Sequence, residues 1–297
     1  MKIALIANPN AGKARKKEGI PWVEKKLNQK KIKYDLFLTH YHGHTIEIAK
    51  RISIMEYDAV VSMGGDGTNY QVLNGVLTRP AKVDLPPFGI IPTGRGNSFS
   101  KDLHICNADD GITALLQQTI RRVDVCRFTQ DSKSHYFINL MGLGFVTAVA
   151  RTAARFRWAG GFSYVIGVLC HTLGLTFHQL ELDIDGEVIS GKNCFIEICN
   201  SRFTGGDMLM APEAQIDDGL FDAVLLSPLS RLSLITTFPK IFKGSHGENF
   251  AVRFIKGKSA SIHTQPEKGL LPDGEIFGTT PTRVDVLPGH VGYFSLA

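Results

Sequence analysis

The sequence predicts an α/β domain on a Rossmann-like parallel sheet, followed by an all-β antiparallel domain of sandwich or barrel-like form. Three observations carry this expectation. Up to about residue 125, short apolar strands alternate with helical segments, as βαβ units do. Beyond about residue 128, alternating strands follow one another with few helices between them. In the first part, three polar loops bearing glycine each stand where an apolar run ends.

Length and composition fit that division. A chain of 297 residues exceeds one typical small domain, and 43% hydrophobic against 21% charged residues is ordinary globular material. The expected domains are 1–128 and 129–297, with a hinge near 125–135 and the last strand returning to the first domain as one option. The 33 Lys and Arg against 28 Asp and Glu leave +5. Much of the excess is near the start, at Lys13, Arg15, Lys16, Lys17, Lys25, Lys26, Lys30, Lys31 and Lys33. Such a segment suits anionic partners or is a solvated helix face. Cys106, Cys126, Cys170, Cys194 and Cys199 are an odd set without a CxxC pair, which reads as reduced, mostly buried thiols in a cytosolic protein. "MKIALIANPN" is too short in its apolar core for a signal peptide, and the longest apolar stretch, 156–177, is broken by Arg157, His171 and glycines. That stretch is expected to be a partly buried helix in a soluble protein.

In chain order, "KIALIA" (2–7), "KYDLFL" (33–38), "YDAVVSM" (57–63), "FGIIP" (88–92) and "RVDVCRF" (122–128) are the expected strands of the first domain. Segments 15–30 and 44–55 are helical between them, which implies a parallel sheet covered on both faces. In the second domain, "LELDIDGEVIS" (180–190) is a hairpin about Asp185-Gly186. "CFIEICN" (194–200), "FDAVLLS" (221–227) and "ASIHT" (260–264) are further strands.

Ligands of parallel α/β sheets bind beyond the carboxyl ends of the strands. "AVVSMGGDGTNYQVLNGVL" (59–77) places Gly64, Gly65, Asp66 and Gly67 at such an end, with Thr68 as expected N-cap and Gln71 completing a capping box. Glycines there let backbone N–H groups approach an anion, and the helix N-terminus favours phosphate. Three glycines around one carboxylate point to a phosphate loop more than to a plain turn. Asn8, Pro9, Asn10, Ala11 and Gly12 end another strand without forming a Walker A loop, because Ala14 follows Lys13. Thr93, Gly94, Arg95, Gly96 and Asn97 end a third, and Phe99 prevents a GxGxxG pattern. Together the three loops suggest a nucleotide site.

These residues carry a family resemblance. Asn8-Pro9-Asn10-Ala11-Gly12, Gly64-Gly65-Asp66-Gly67-Thr68 and Pro92-Thr93-Gly94-Arg95-Gly96-Asn97 resemble the lipid kinase superfamily of diacylglycerol and sphingosine kinases. "APEAQIDDGLFD" (211–222) and "LPDGEIFG" (271–278) extend the resemblance over nearly the whole chain, in the family's order. The resemblance implies an N-terminal α/β domain, a C-terminal β-sandwich and ATP in a cleft between them. It implies that Asn8, Pro9, Asn10, Ala11, Gly12, Thr39, Gly64, Gly65, Asp66, Gly67, Thr68, Asn69, Gln71, Thr93, Gly94, Arg95 and Asn97 hold the nucleotide, with Glu275 as a further partner. Asp218 and the carbonyls of Gln215 and Leu220 would hold Mg²⁺, Asp273 would be the general base, and Asp66 is the second catalytic candidate. Arg95 stands where small residues are usual, and Ser98 where many bacterial members carry an acid.

Phosphoryl transfer asks for what these residues offer: positioned phosphates, Mg²⁺ and a carboxylate beside the attacking hydroxyl. Asp217 and Asp222 could assist the metal directly or through water. Asp185-Gly186-Glu187 repeats the spelling of Asp273-Gly274-Glu275 in a hairpin with no expected chemistry, so local spelling leaves Asp273 open between turn and base. His40, His42 and His44 read as loop histidines rather than metal ligands. The expected function is an ATP- and Mg²⁺-dependent kinase acting on a hydroxyl of a diacylglycerol-like, sphingoid or related lipid. The expected partner is a lipid at a membrane surface, with no nucleic acid, no transmembrane segment and a homodimer as one option. The location is cytoplasmic, with a peripheral place at the inner membrane face as an option. NAD kinase and a catalytically inactive nucleotide-binding regulator are the competing readings.

Overall fold

A computed structural model describes residues 1–12, 19–79, 84–156 and 162–296. The basic residues Lys13, Arg15, Lys16 and Lys17, and Arg157 in the long apolar stretch, lie outside the described residues.

Unit 1 comprises Met1–Val123 and Gly289–Ala297. Its elements are β1 (Lys2–Ala7), α1 (Ile20–Gln29), β2 (Lys33–Leu38), α2 (His44–Arg51), β3 (Ala59–Gly64), α3 (Asp66–Leu77), β4 (Phe88–Pro92), α4 (Ser98–Asp102), α5 (Ala108–Gln117) and the start of β5 (Ile120–Gln130). β2, β1, β3 and β4 form a parallel sheet in that order, in register Ile3↔Ala59 and Val60↔Phe88. Continuous apolar runs make β1, β3 and β4 buried strands, covered on both faces as parallel sheets require. Helix α5 opens on a capping box: Asn107 accepts from the Asp110 N–H while Asp110 reaches back to the Asn107 N–H.

Unit 2 is Asp124–Pro288. It continues through β6 (Lys133–Phe137), β7 (Leu140–Gly144), α6 (Phe145–Arg155), α7 (Phe162–Leu173), β8 (His178–Ile184), β9 (Glu187–Asn193), β10 (Phe195–Cys199), β11 (Phe203–Thr204), β12 (Met208–Leu209), β13 (Phe221–Leu226), α8 (Arg231–Thr237), β14 (Val252–Gly257), β15 (Ser259–Gln265), β16 (Leu270–Pro272) and β17 (Thr282–Phe294). One antiparallel sheet runs β14-β13-β10-β7-β16. A second antiparallel layer joins the start of β17 to β15, β8 and β9. The Asp185-Gly186 hairpin forms as expected, with φ of 51° and 92°.

β17 carries the chain back: its end lies beside β4, where Tyr293 pairs with Phe88. The Tyr293 ring stacks on Phe88 and meets Phe99 edge-on, and its hydroxyl donates to Asn69 Oδ1 at 3.1 Å. Helices α6 and α8, with α7, are the few helices described among the strands of this unit. One expectation needs correction. Thr68 is not an N-cap: α3 starts at Asp66 behind Gly65, and no side chain caps it. Of the five cysteines, Cys126, Cys194 and Cys199 are buried, and Cys106 and Cys170 exposed. Among the described residues, no helix is long and apolar enough to cross a membrane.

Candidate functional site

The three polar loops come together at the carboxyl edge of the unit 1 sheet. The loop after β1 is a tight turn: Asn8 Oδ1 accepts from the Asn10 N–H, and the Ala11 N–H donates to the Asn8 carbonyl. Gly12 has φ of +58°, and a Cβ on it would lie 1.8 Å from the Thr93 carbonyl oxygen. The other two loops touch through backbone. Thr93 and Gly94 N–H groups both donate to the Gly64 carbonyl, and a Cβ on Gly94 would lie 2.4 Å from the Cα of Gly65. Gly65 itself has an ordinary φ of −102°, so its need for glycine comes from this close approach and not from left-handed backbone.

Asp66 ties these loops further. Its carboxylate accepts from the Ser98 N–H at 3.0 Å and the Phe99 N–H at 3.2 Å. Burial pushes its carboxyl up, while the two amides and Lys101 pull it down. In this arrangement Asp66 positions a loop. Asn97, left-handed at φ of 51°, donates from its amide to the Gly94 carbonyl, and its Oδ1 is buried without a hydrogen-bond partner. An orphaned acceptor beside packed glycine backbones, below the N-terminus of the 12-residue α3, suits a nucleotide with donor groups. Thr68, Asn69, Gln71, Thr93 and Thr39 are buried around the same edge, and Arg95 is exposed. The histidine loop nearby is held by ring contacts: Tyr41 stacks on His44 at 4.5 Å.

Unit 2 holds the remaining candidates. Asp273 is only 7% exposed and left-handed at φ of 46°. Its Oδ1 accepts from the Asn139 and Leu140 N–H groups at 2.9 and 3.1 Å, and its Oδ2 from the Ile138 N–H at 3.1 Å. Three backbone donors fix the carboxylate in place. The turn continues to Glu275, whose N–H donates to the Pro272 carbonyl. Elsewhere in the unit, Asp218 Oδ1 accepts from the Leu220 N–H at 3.0 Å, and Lys256 Nζ lies 3.5 Å from Asp218 Oδ2 and 2.8 Å from Asp222 Oδ2. Gln215 belongs to the same loop, one residue before Ile216, whose carbonyl accepts from the Asp124 N–H.

Sequence reasoning missed four polar residues of unit 2. Asp124 is buried and accepts from the Gly219 N–H at 2.6 Å, which fixes the turn after Asp218. Lys256 is the ammonium facing Asp218 and Asp222. Glu197 and His246 line an apolar cavity that is partly open to solvent. Its walls include Phe145 and Val149 of α6, Val168 of α7 and Leu234 of α8, and it extends to Leu271 and Gly274, beside Asp273.

Comparison with known proteins agrees with these features. Residues 139–294 match the YegS C-terminal NAD kinase beta sandwich-like domain, and residues 2–128 the diacylglycerol kinase catalytic domain. The chain belongs to the diacylglycerol kinase-like lipid kinase superfamily. It is a lipid kinase. A diacylglycerol kinase of Staphylococcus saprophyticus is 28% identical over 98% of this chain and 94% of its own, and one of Staphylococcus carnosus is 26% identical with the same coverage. A crystal structure of a putative diacylglycerol kinase from Bacillus anthracis superposes with a TM-score of 0.82 at 23% identity, covering 99% of this chain and 97% of its own. An NAD kinase from Archaeoglobus fulgidus, solved with ATP, shares the fold more distantly at a TM-score of 0.53 and 12% identity, covering 99% of this chain and 94% of its own. Membership in a kinase family implies use of ATP.

Proposed function

We propose that this kinase transfers the γ-phosphate of ATP to a hydroxyl of a diacylglycerol-like lipid. The observation that carries the reading is the apolar cavity of unit 2, because its wall runs to Gly274 and so ends beside the buried carboxylate of Asp273. A cavity with walls this apolar suits a hydrocarbon chain. A lipid seated there brings its hydroxyl to the Asp273 end, where the carboxylate accepts the proton as the hydroxyl oxygen bonds to the γ-phosphorus. The bond to the β–γ bridging oxygen breaks and ADP leaves. In unit 1, the first N–H groups of α3 and the packed loop backbones of Gly12, Gly65 and Gly94 cradle phosphate.

Asp218 with the Gln215 and Leu220 carbonyls is a hard-oxygen set of the kind Mg²⁺ takes, few in number and completed by water and substrate phosphate. When bound, Mg²⁺ would neutralise phosphate charge. Lys256 lies nearer Asp222 than Asp218, at 2.8 against 3.5 Å, so Asp218 would be the carboxylate of the pair more open to a metal. Asp218→Asn is expected to raise the Mg²⁺ concentration for half-maximal activity several-fold, read by Mg²⁺ titration; an unchanged titration removes Asp218 from the metal site.

Helices α7 and α8, whose buried faces line the cavity, also expose Leu169, Leu173, Leu232 and Ile235. Apolar side chains there suit contact with a lipid surface, from which the substrate would enter. Labelled ATP and Mg²⁺ with a panel of diacylglycerol, sphingoid base and NAD tests the reading: label in the organic phase with diacylglycerol is expected, and label on NAD alone overturns it.

A further inference from the structure

Glu197 sits in the wall of the lipid cavity with almost no access to bulk solvent, at 3% exposure. Its Oε2 is buried without a hydrogen-bond partner. Among the described residues of the cavity wall no Lys or Arg answers it, and the other polar groups there are Tyr164, Thr204, Thr237 and His246. His246 Nε2 already bonds the Met210 carbonyl at 3.0 Å, and its Nδ1 is also without a partner. A folded protein seldom leaves a carboxyl orphaned in an apolar wall, because each unmet polar group costs its desolvation.

The backbone around Glu197 keeps room for that carboxyl. Glu197 pairs directly across from Gly142 on β7, and Gly142 pairs with Leu271 on β16. A Cβ on Gly142 would come within 3.2 Å of Glu197 Oε1, so glycine at this place keeps the carboxyl uncrowded. Directly opposed residues share a sheet face, which places Glu197 and Leu271 on the same face, and the cavity that both line ends at Gly274, beside Asp273. Two strand spacings separate Glu197 from Leu271, about 10 Å between their Cα atoms.

Resting on the reading of the kinase as acting on a diacylglycerol-like lipid, we propose that Glu197 determines specificity by donating a hydrogen bond from its neutral carboxyl to an ester carbonyl of the lipid held at Asp273. Burial alone pushes the Glu197 carboxyl up to about 8, so that near neutrality it carries a proton and serves as donor. A neutral donor in an apolar wall selects a neutral acceptor. It gains nothing from an ether oxygen of the same shape that accepts weakly, and an aminated lipid would have to find its counter-charge elsewhere.

The test compares transfer by the full chain to 1,2-diacylglycerol and to a 1,2-dialkylglycerol of equal chain length in mixed micelles, for the parent, Glu197→Gln and Glu197→Leu. The parent is expected to favour the ester by about tenfold in kcat/KM, the scale of one buried hydrogen bond, with the difference in KM. Glu197→Gln, whose amide also donates, keeps the preference, and Glu197→Leu brings the ratio to about one. In the absence of ATP, thermal stabilisation by short-chain diacylglycerol should likewise exceed that by the ether in the parent and not in Glu197→Leu, a comparison that also shows the variant is folded. An ester preference that survives in Glu197→Leu, or none in a parent that phosphorylates both lipids, overturns the role of Glu197. Transfer to neither lipid by the parent overturns the lipid reading itself and this role with it.

Discussion

Asp185 and Asp273 are the same residue in the same turn, both left-handed and both followed by a left-handed glycine. Both carboxylates also gather backbone amides, Asp185 from Lys258 and Ser259, Asp273 from Ile138, Asn139 and Leu140. Replacement by Asn therefore removes the same kind of bond at each: the amide would face the N–H that Oδ2 accepted, and Oδ1 could keep its donors. The buried site loses more, about 1–3 kcal/mol against less at the exposed one. Only Asp273 adjoins the cavity. Asp273→Asn is expected to lower transfer by about 10²–10⁴ while ATP affinity stays, and Asp185→Asn to remain active. Rate assays and calorimetry of ATP binding decide it; full activity in Asp273→Asn would remove the base. Glu197 was legible too, had the period been followed. In "FIEIC" it shares a face with Phe195 and Cys199, so one glutamate lies on a buried face.

At the scale of elements, loops meet because two glycines let them. A Cβ on Gly94 would overlap Gly65 at 2.4 Å, backbone against backbone, whereas one on Gly65 would sit at a tight 3.2 Å from Gly94. Gly94→Ala should thus displace both loops and weaken ATP binding by about tenfold, the scale of one lost backbone hydrogen bond to phosphate. Gly65→Ala should weaken it less. Parent-like affinity in Gly94→Ala, measured by calorimetry, would mean the loops do not contact ATP together. Strands of the first part were legible to within a residue or two because continuous apolar runs between turn residues leave little choice, as at β1, β3 and β4. Helix α6 was not. It leaves β7 through the single residue Gly144, at φ of +83°, and its β-branched Val146, Thr147 and Val149 read as strand. The Thr68 cap failed for another reason: Gly65 already supplies the extended turn before the helix.

For the molecule as a whole, two buried groups of unit 2 oppose each other in pH. Burial, with Lys268 adding to it, lowers His178 from 6.5 to about 4, and burial raises Glu197 from 4.5 to about 8. A histidine held neutral contributes stability above 6.5 that is lost as pH falls towards 4. A glutamic acid held neutral contributes stability below 4.5 that is lost as pH rises towards 8. Between 4.5 and 6.5 the two slopes cancel, so thermal melts should show a plateau there, a fall on the acid side from His178 and a fall above it from Glu197. Glu197→Gln should flatten the alkaline fall; a variant that declines as steeply as the parent would show that Glu197 is charged in the fold. The family was legible over the whole chain because its loops each need particular small or acidic residues, whereas the cavity is built from interchangeable apolar ones.

The return of β17 to the unit 1 sheet sets an order of events during synthesis. A ribosome makes the chain from its N-terminus, and the unit 1 loops and most of its sheet emerge first. Tyr293, fully buried against Phe88 and Phe99 and bonded to Asn69, is translated only after every residue of unit 2. Until then the edge of β4 that will receive it is unpaired and its aromatic partners uncovered. The nascent first unit is in this sense a half-closed clasp, and a growing chain cannot complete the unit 1 sheet before unit 2 has been made.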